Sequence, residues 1–215
     1  MIKRNKGILI LTSIVILIPV LLGLLLWEKL PEQVPTHWGI NGEVDGWSSK
    51  GWAVFGLPCF LLGLHWLCFL ASLADPKREA YTAKMLKLVL WICPVISLLV
   101  GSLIYAKVLG YDLSVNVIMP LLVGWMFIVV GNLMPKMRQS YTIGIRLPWT
   151  LNNEENWNKT HRFSGKLWVL GGVVTMATAF FSTLWILMGI LILMVALPTI
   201  YSYRLYRKQI SEAKE

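Results

Sequence analysis

Long apolar runs recur along the chain at Gly7 to Trp27, Ala53 to Ala74, Leu88 to Ala106 and Leu113 to Met134, followed by Leu167 to Phe181 and Leu184 to Tyr203. A run of about 20 residues, rising about 1.5 Å per residue as a helix, crosses the roughly 30 Å hydrocarbon core of a bilayer. The pattern predicts an all-α, polytopic membrane helix bundle of about six transmembrane helices. Asp75-Pro76 ends the second run, because proline restrains the residue before it. Cys93-Pro94 predicts a kink in the third, and Pro120 lies inside the fourth, which stops at Pro135-Lys136. Only Ser182-Thr183 separates the last two, so they read as a tight helical hairpin.

Composition agrees with the pattern. Of 215 residues, 56% are hydrophobic and 14% charged, too few charges to cover a water-soluble globule of this size. The formal charge of +9 is gathered in short clusters beside the apolar runs, which suits anionic lipid headgroups and gives no reason to expect direct nucleic-acid binding. Of the 20 Lys and Arg residues, all but Lys29, Lys50 and Lys107 fall in the loops and termini on one side of the predicted bundle. The positive-inside rule puts that side, with both termini, in the cytoplasm. Met1 to Lys6 followed by an apolar stretch without a cleavage site reads as an uncleaved first helix. Trp27, Trp52 and Trp168 fall near predicted helix ends, where indole rings suit the interface. Cys59, Cys68 and Cys93 all sit within apolar runs and read as small core hydrophobes with no redox role. The organisation expected is a two-helix region at 1–87 with an extracytoplasmic loop at 28–52, then a four-helix region at 88–215 with a cytoplasmic loop at 135–166.

The outer loop carries two turn dipeptides, Asn41-Gly42 and Asp45-Gly46, and two stiffening prolines, Pro31 and Pro35. These predict a compact, ordered segment. His37, Glu43 and Asp45 offer imidazole and carboxylate donors that a small ligand or metal could use, with Trp38 alongside. A cap held by turns and tryptophan packing is the preferred reading, with no metal and no cofactor.

The inner loop is the more unusual. Gly131-Asn132 is expected to close the fourth helix, after which Gly144, Ile145, Arg146, Leu147, Pro148, Trp149, Thr150 and Leu151 form a dense polar and aromatic stretch. Asn152 with Glu155 fits an N-cap with acidic residues at the positive helix end. A helix starting there would stack Trp157, His161 and Gly165 on one face. Arg146 offers five donors in a fixed fork beside a glycine that allows close approach. Trp149 and Trp157 also suit interface anchors. His65, mid-span in the second helix, is expected to hydrogen-bond a neighbouring helix. No Ser or Cys stands in a catalytic context and no carboxylate pair is evident, so no enzyme is expected.

At these residues the chain resembles the SdpI family of bacterial membrane immunity proteins. The outer pattern L-P-x-x-V-P-x-H-W through D-G-W-x-S-K resembles an N-terminal region of unknown function. The inner pattern is carried by Gly144, Ile145, Arg146, Pro148, Trp149, Thr150 and Leu151, then Trp157, Thr160, His161, Arg162 and Gly165. The resemblance implies protection of a bacterium from a secreted toxic peptide, with the protein also capturing a cytoplasmic repressor when toxin is present and the inner loop expected to relay toxin occupancy to that partner. It makes Gly144, Arg146, Pro148, Trp149, Thr150, Trp157, His161 and Arg162 the signalling segment. Two other readings start from the residues alone: a small transporter or lipid-handling protein built around His65 and the Arg146 loop, and a membrane enzyme with a metal at His37.

The charge asymmetry makes a direct topological prediction. With the three native cysteines replaced, a cysteine at position 45 is expected to react with a membrane-impermeant maleimide from outside intact cells. Labelling only after permeabilisation would reverse the orientation.

Overall fold

The computed structural model describes residues 2–39, 42–111, 113–181 and 184–212. Asn41 of the expected outer turn and the Ser182-Thr183 turn lie outside the described residues. The elements are α1 (Ile2–Leu25), a hairpin of β1 (Gln33–Trp38) and β2 (Val44–Ser49), α2 (Leu57–Ala74), α3 (Ala83–Val108), α4 (Val115–Leu133), α5 (Pro148–Asn152), α6 (Glu154–Thr178) and α7 (Leu184–Glu212). A wide helical turn, Trp52–Gly56, leads into α2. Among the described residues, five stretches are long and apolar enough to cross a membrane: Asn5–Leu25, Trp52–Ala74, Ala83–Val108, Val115–Lys136 and Trp185–Glu212. The chain is a multi-pass, essentially all-helical membrane protein. The fifth expected span, Leu167 to Phe181, is not among the five stretches: it falls largely at the apolar end of α6, a helix whose first half, Glu154 to Lys166, is polar.

The chain divides into two compact units: Met1–Leu73 with Leu86–Asn116, and Ala74–Met85 with Val117–Glu215. In the first unit, polar side chains knit the apolar helices together. His65 of α2 meets Thr12 of α1 at 3.0 Å, as its mid-span position predicted. Ser97 and Tyr105 of α3 donate to the carbonyls of Ile16 and Pro19 in α1, at 2.8 and 2.7 Å. Such bonds suit an apolar solvent, where the alternative is an unmet polar group. Cys93 is buried as expected, whereas Cys59 is exposed on the apolar surface. Two bonds, Gly110 N–H to Lys107 C=O and Tyr111 N–H to Ala106 C=O, close α3 with Gly110 at φ +86°. That positive angle, favoured by glycine, completes a Schellman cap.

The outer loop is more regular than its turns alone implied: β1 and β2 pair antiparallel, from Gln33 opposite Ser49 to Trp38 opposite Val44, with a bulge at His37. Val34 is buried with Leu30, Val54, Ile104 and Tyr105, so one face of the hairpin closes the end of the first unit. Thr36 and Ser48 bond across the strands at 2.8 Å. Lys50 lies over the Trp27 ring, 4.7 Å from its centroid.

In the second unit, α4 and α6 meet backbone to backbone. A Cβ on Gly124 would stand 2.6 Å from the Gly172 carbonyl, and one on Gly131 would stand 2.9 Å from the Gly165 carbonyl and 2.8 Å from the Val169 nitrogen. The glycines are seven residues apart on each helix and pair in antiparallel order, the close approach that small residues give helices in lipid. Gly131 therefore does not close α4, which runs on to Leu133; its role is this contact. Trp168 is likewise not at a helix end. It sits within α6, edge-on to Phe127 at 5.5 Å, and its Nε1–H donates to the Met194 carbonyl.

Gly131→Ala is expected to lower the stability of the detergent-purified protein by about 1–3 kcal/mol, because backbone atoms must move apart. Gly63→Ala, on an open face of α2, is expected to be neutral. Equal unfolding midpoints for the two variants in a denaturant titration would remove the seam from the account.

The loop between α4 and α6

The segment from Met134 to Asn153 is short on regular structure, so its backbone polar groups need side-chain partners. Thr150 supplies several. Fully buried, its Oγ1 accepts from the Leu147 N–H at 2.9 Å and faces the carbonyls of Ile145 and Leu147 at 2.8 and 2.9 Å. Pro148 at the first turn of α5 fits because its missing N–H would have had no helical partner. Gln139 caps the other end of α5, its Nε2 donating to the carbonyls of Thr150 and Leu151, both at 2.8 Å. Ser140 closes a local turn, accepting from the Ile143 N–H and donating to the Ile143 carbonyl.

α6 begins one residue later than Asn152 suggested: Asn153 is the N-cap, accepting the Asn156 N–H at 2.8 Å. Asn152 is instead the last residue of α5. As predicted, α6 turns Trp157, His161 and Gly165 to one side, and all three are buried. Trp157 donates its Nε1–H to the Met137 carbonyl at 2.9 Å and stacks on His161, with ring centroids 4.0 Å apart. His161 donates Nδ1–H to the Trp157 carbonyl at 2.8 Å and accepts the Ile145 N–H on Nε2 at 3.0 Å. Those two partners demand the neutral ring, and burial pushes its pKa down to about 4. Gly144, at φ +116°, passes so close that a Cβ would stand 2.6 Å from His161 Nε2 and 2.7 Å from the Trp157 ring. Neither the angle nor the space admits another residue.

Trp149 leaves the loop in the opposite direction. It stacks on Tyr206 of α7 at 5.7 Å, meets Tyr203 edge-on, and donates to Ser202 at 3.0 Å. Beside it lies an open cleft of about 310 Å³ lined by Pro148, Trp149, Asn152, Asn153, Tyr206 and Gln209 among others. Arg146 and Arg162 are both exposed. Arg146 makes one bond from Nη1 to the Tyr141 carbonyl, at 2.8 Å. The loop is therefore held by Thr150, His161 and Trp157, and Arg146 stands on its surface.

Asp75 was read from the sequence only as a helix terminator. It is buried, and its carboxylate accepts four hydrogen bonds: from the Lys77 N–H at 2.7 Å, the Tyr81 hydroxyl at 2.6 Å, the Tyr141 N–H at 2.9 Å and the Thr142 hydroxyl at 2.6 Å. Burial alone would push its pKa up, but the bonds from Thr142, Tyr81 and the two amides outweigh it and leave the carboxyl below its ordinary value. Burial and this bond push Tyr81 up to about 12. The sequence signal was a carboxylate at the edge of an apolar run, where an unmet charge is costly.

On the hairpin, His37 and Asp45 come together at 2.5 Å on the exposed face, and a Cβ on Gly46 would press against His37. Trp38 packs against the core below. Glu43 is exposed near Gly39. Among the described residues, no three His, Cys, Asp or Glu side chains are grouped as a metal site would need.

Comparison with known proteins follows the same two regions. Residues 136–202 match the model of the SdpI/YfhL protein family, and residues 14–62 match a domain of unknown function. The chain is 28% identical over 214 residues to the immunity protein SdpI of Bacillus subtilis (strain 168), covering 96% of this chain and 97% of that one. No solved structure matches.

The neutral His161 sets a pH dependence. Unfolded, the ring titrates near its ordinary 6.5; folded, near 4. Its contribution to stability is thus complete above pH 6.5 and is lost as pH falls towards 4. The stability difference between wild type and His161→Gln is expected to shrink across that window, and a pH-independent difference would contradict the neutral assignment.

Proposed function

We propose that the chain, which matches the SdpI/YfhL family model over residues 136–202, is a membrane immunity protein of that family. It protects a bacterium against a secreted toxic peptide and relays the presence of that peptide to a cytoplasmic repressor. The observation that carries the reading is that the Gly144 to Arg162 pattern builds one ordered platform: Gly144, Thr150, Trp157 and His161 hold its shape. Pro148 and Trp149 form the wall of a cleft, and Arg146 and Arg162 are left exposed. A loop that served only to join two helices would not need a buried histidine, a buried tryptophan and a glycine at positive φ to fix its form. In this reading residues 1–87 bear the toxin-facing hairpin, and residues 88–215 carry the relay. The exposed cations and the cleft are the surface offered to the partner.

Deletion of the gene in its native host, followed by challenge with that host's own secreted peptides, tests protection directly. Unchanged survival would overturn the reading. Arg146→Ala separates relay from scaffold. Its single exposed bond predicts a stability change within about 0.5 kcal/mol, so with the variant expressed from a constitutive promoter, protein level and protection should hold while toxin no longer induces a reporter fused to the operon's own promoter. Unchanged induction would leave Arg146 as a topology determinant only.

A further inference from the structure

The turn between α2 and α3 is tied to the loop between α4 and α6 by two separate polar links. Asp75 binds Tyr141 and Thr142. Lys77 donates from Nζ to Gln139 Oε1, and the same Gln139 amide holds the Thr150 and Leu151 carbonyls at the end of α5. Lys77 also lies over the Tyr141 ring, 5.4 Å from its centroid. The turn therefore reaches both the start of the patterned segment and the short helix that carries Trp149.

We propose that the α2–α3 turn is the mechanical input of this loop, with Asp75 and Lys77 as the residues that position it. The proposal rests on the relay reading and gives the relay a route. Asp75 is the first residue after α2, so a displacement of that helix along or about its axis arrives at the carboxylate without an intervening flexible segment. Four neutral donors satisfy the carboxylate, and a buried charge cannot give up part of such a set cheaply. The arrangement favours two discrete states, one with the set complete and one with the carboxylate rehydrated and the loop released, over gradual deformation. Neither Asp75 nor Lys77 lies in the patterned segment itself, so a route through them extends the relay beyond the loop.

The test uses the full chain in lipid nanodiscs and in its native host. Asp75→Asn keeps the shape, removes the charge and turns an NH2 group towards donors. Hydrogen exchange across residues 139–147 is expected to rise on the order of tenfold while exchange at Val34 to Trp38 stays as in wild type. Tyr81→Phe, which removes one donor and keeps the charge, should give a smaller rise, and Thr142→Val stands in if Asp75→Asn fails to accumulate. In the host, the ratio of operon expression with and without toxin should fall to about one at normal protein level. Unchanged exchange at 139–147 would overturn the positioning role. Raised exchange with a wild-type induction ratio would overturn the input role. If the wild-type operon ignores toxin, the relay reading falls and the input role with it, whereas the exchange result still decides whether Asp75 positions the loop.

Discussion

Backbone amides and carbonyls that belong to no helix or sheet must be met by something else when water is scarce, and the segment between α4 and α6 is built around that requirement. Thr150, Gln139, Ser140, His161 and Asp75 each pair with backbone groups of the segment. An imidazole that serves as acceptor to an amide must stay neutral, and a carboxylate that takes four donors must stay charged. The chemistry of the segment is therefore fixed by its own folding, before any partner is considered.

The same requirement explains why the segment sits against a seam of glycines. Where Gly124 meets Gly172 and Gly131 meets Gly165, the two helices approach closely enough to hold α6 against the end of α4. The end of α4 then continues through Met134 and Met137, both buried, to the carbonyl that Trp157 grips. Glycine here acts through the space it leaves, and only at Gly144 through its backbone angle as well. Trp149 faces the other way, onto the aromatic face of α7, so α5 is fixed between α6 and α7 while keeping one side open.

The hairpin solves a different problem. It gives the long connection between α1 and α2 a ladder of its own, and it buries Val34 while leaving His37, Asp45 and Trp47 exposed. Gly46 is needed so that His37 can cross the pair at the bulge. The pairing of β1 with β2 and the Thr36–Ser48 bond are local in sequence.

Hydrophobic run lengths and the placement of Lys and Arg determined the membrane class, the helix order and the expected orientation, because a bilayer imposes a length and a polarity on each span. The pattern from Gly144 to Arg162 marked the segment that the structure shows to be ordered, and the i, i+4 spacing of Trp157 and His161 placed them on one face before any contact was known. The alternation of Val34, Thr36 and Trp38 around a turn signal was a strand signature too, although prolines masked it. Sequence could not say that Arg146 would be exposed while His161 was buried. Both are polar residues in a polar stretch, and only the packing of the loop onto α6, which covers His161 and leaves Arg146 outside, separates them. Nor could it join Asp75 to Tyr141 and Thr142, 66 and 67 residues away. That pairing belongs to no local period, and it was decided when the chain brought a buried carboxylate and four unmet donors to the same place.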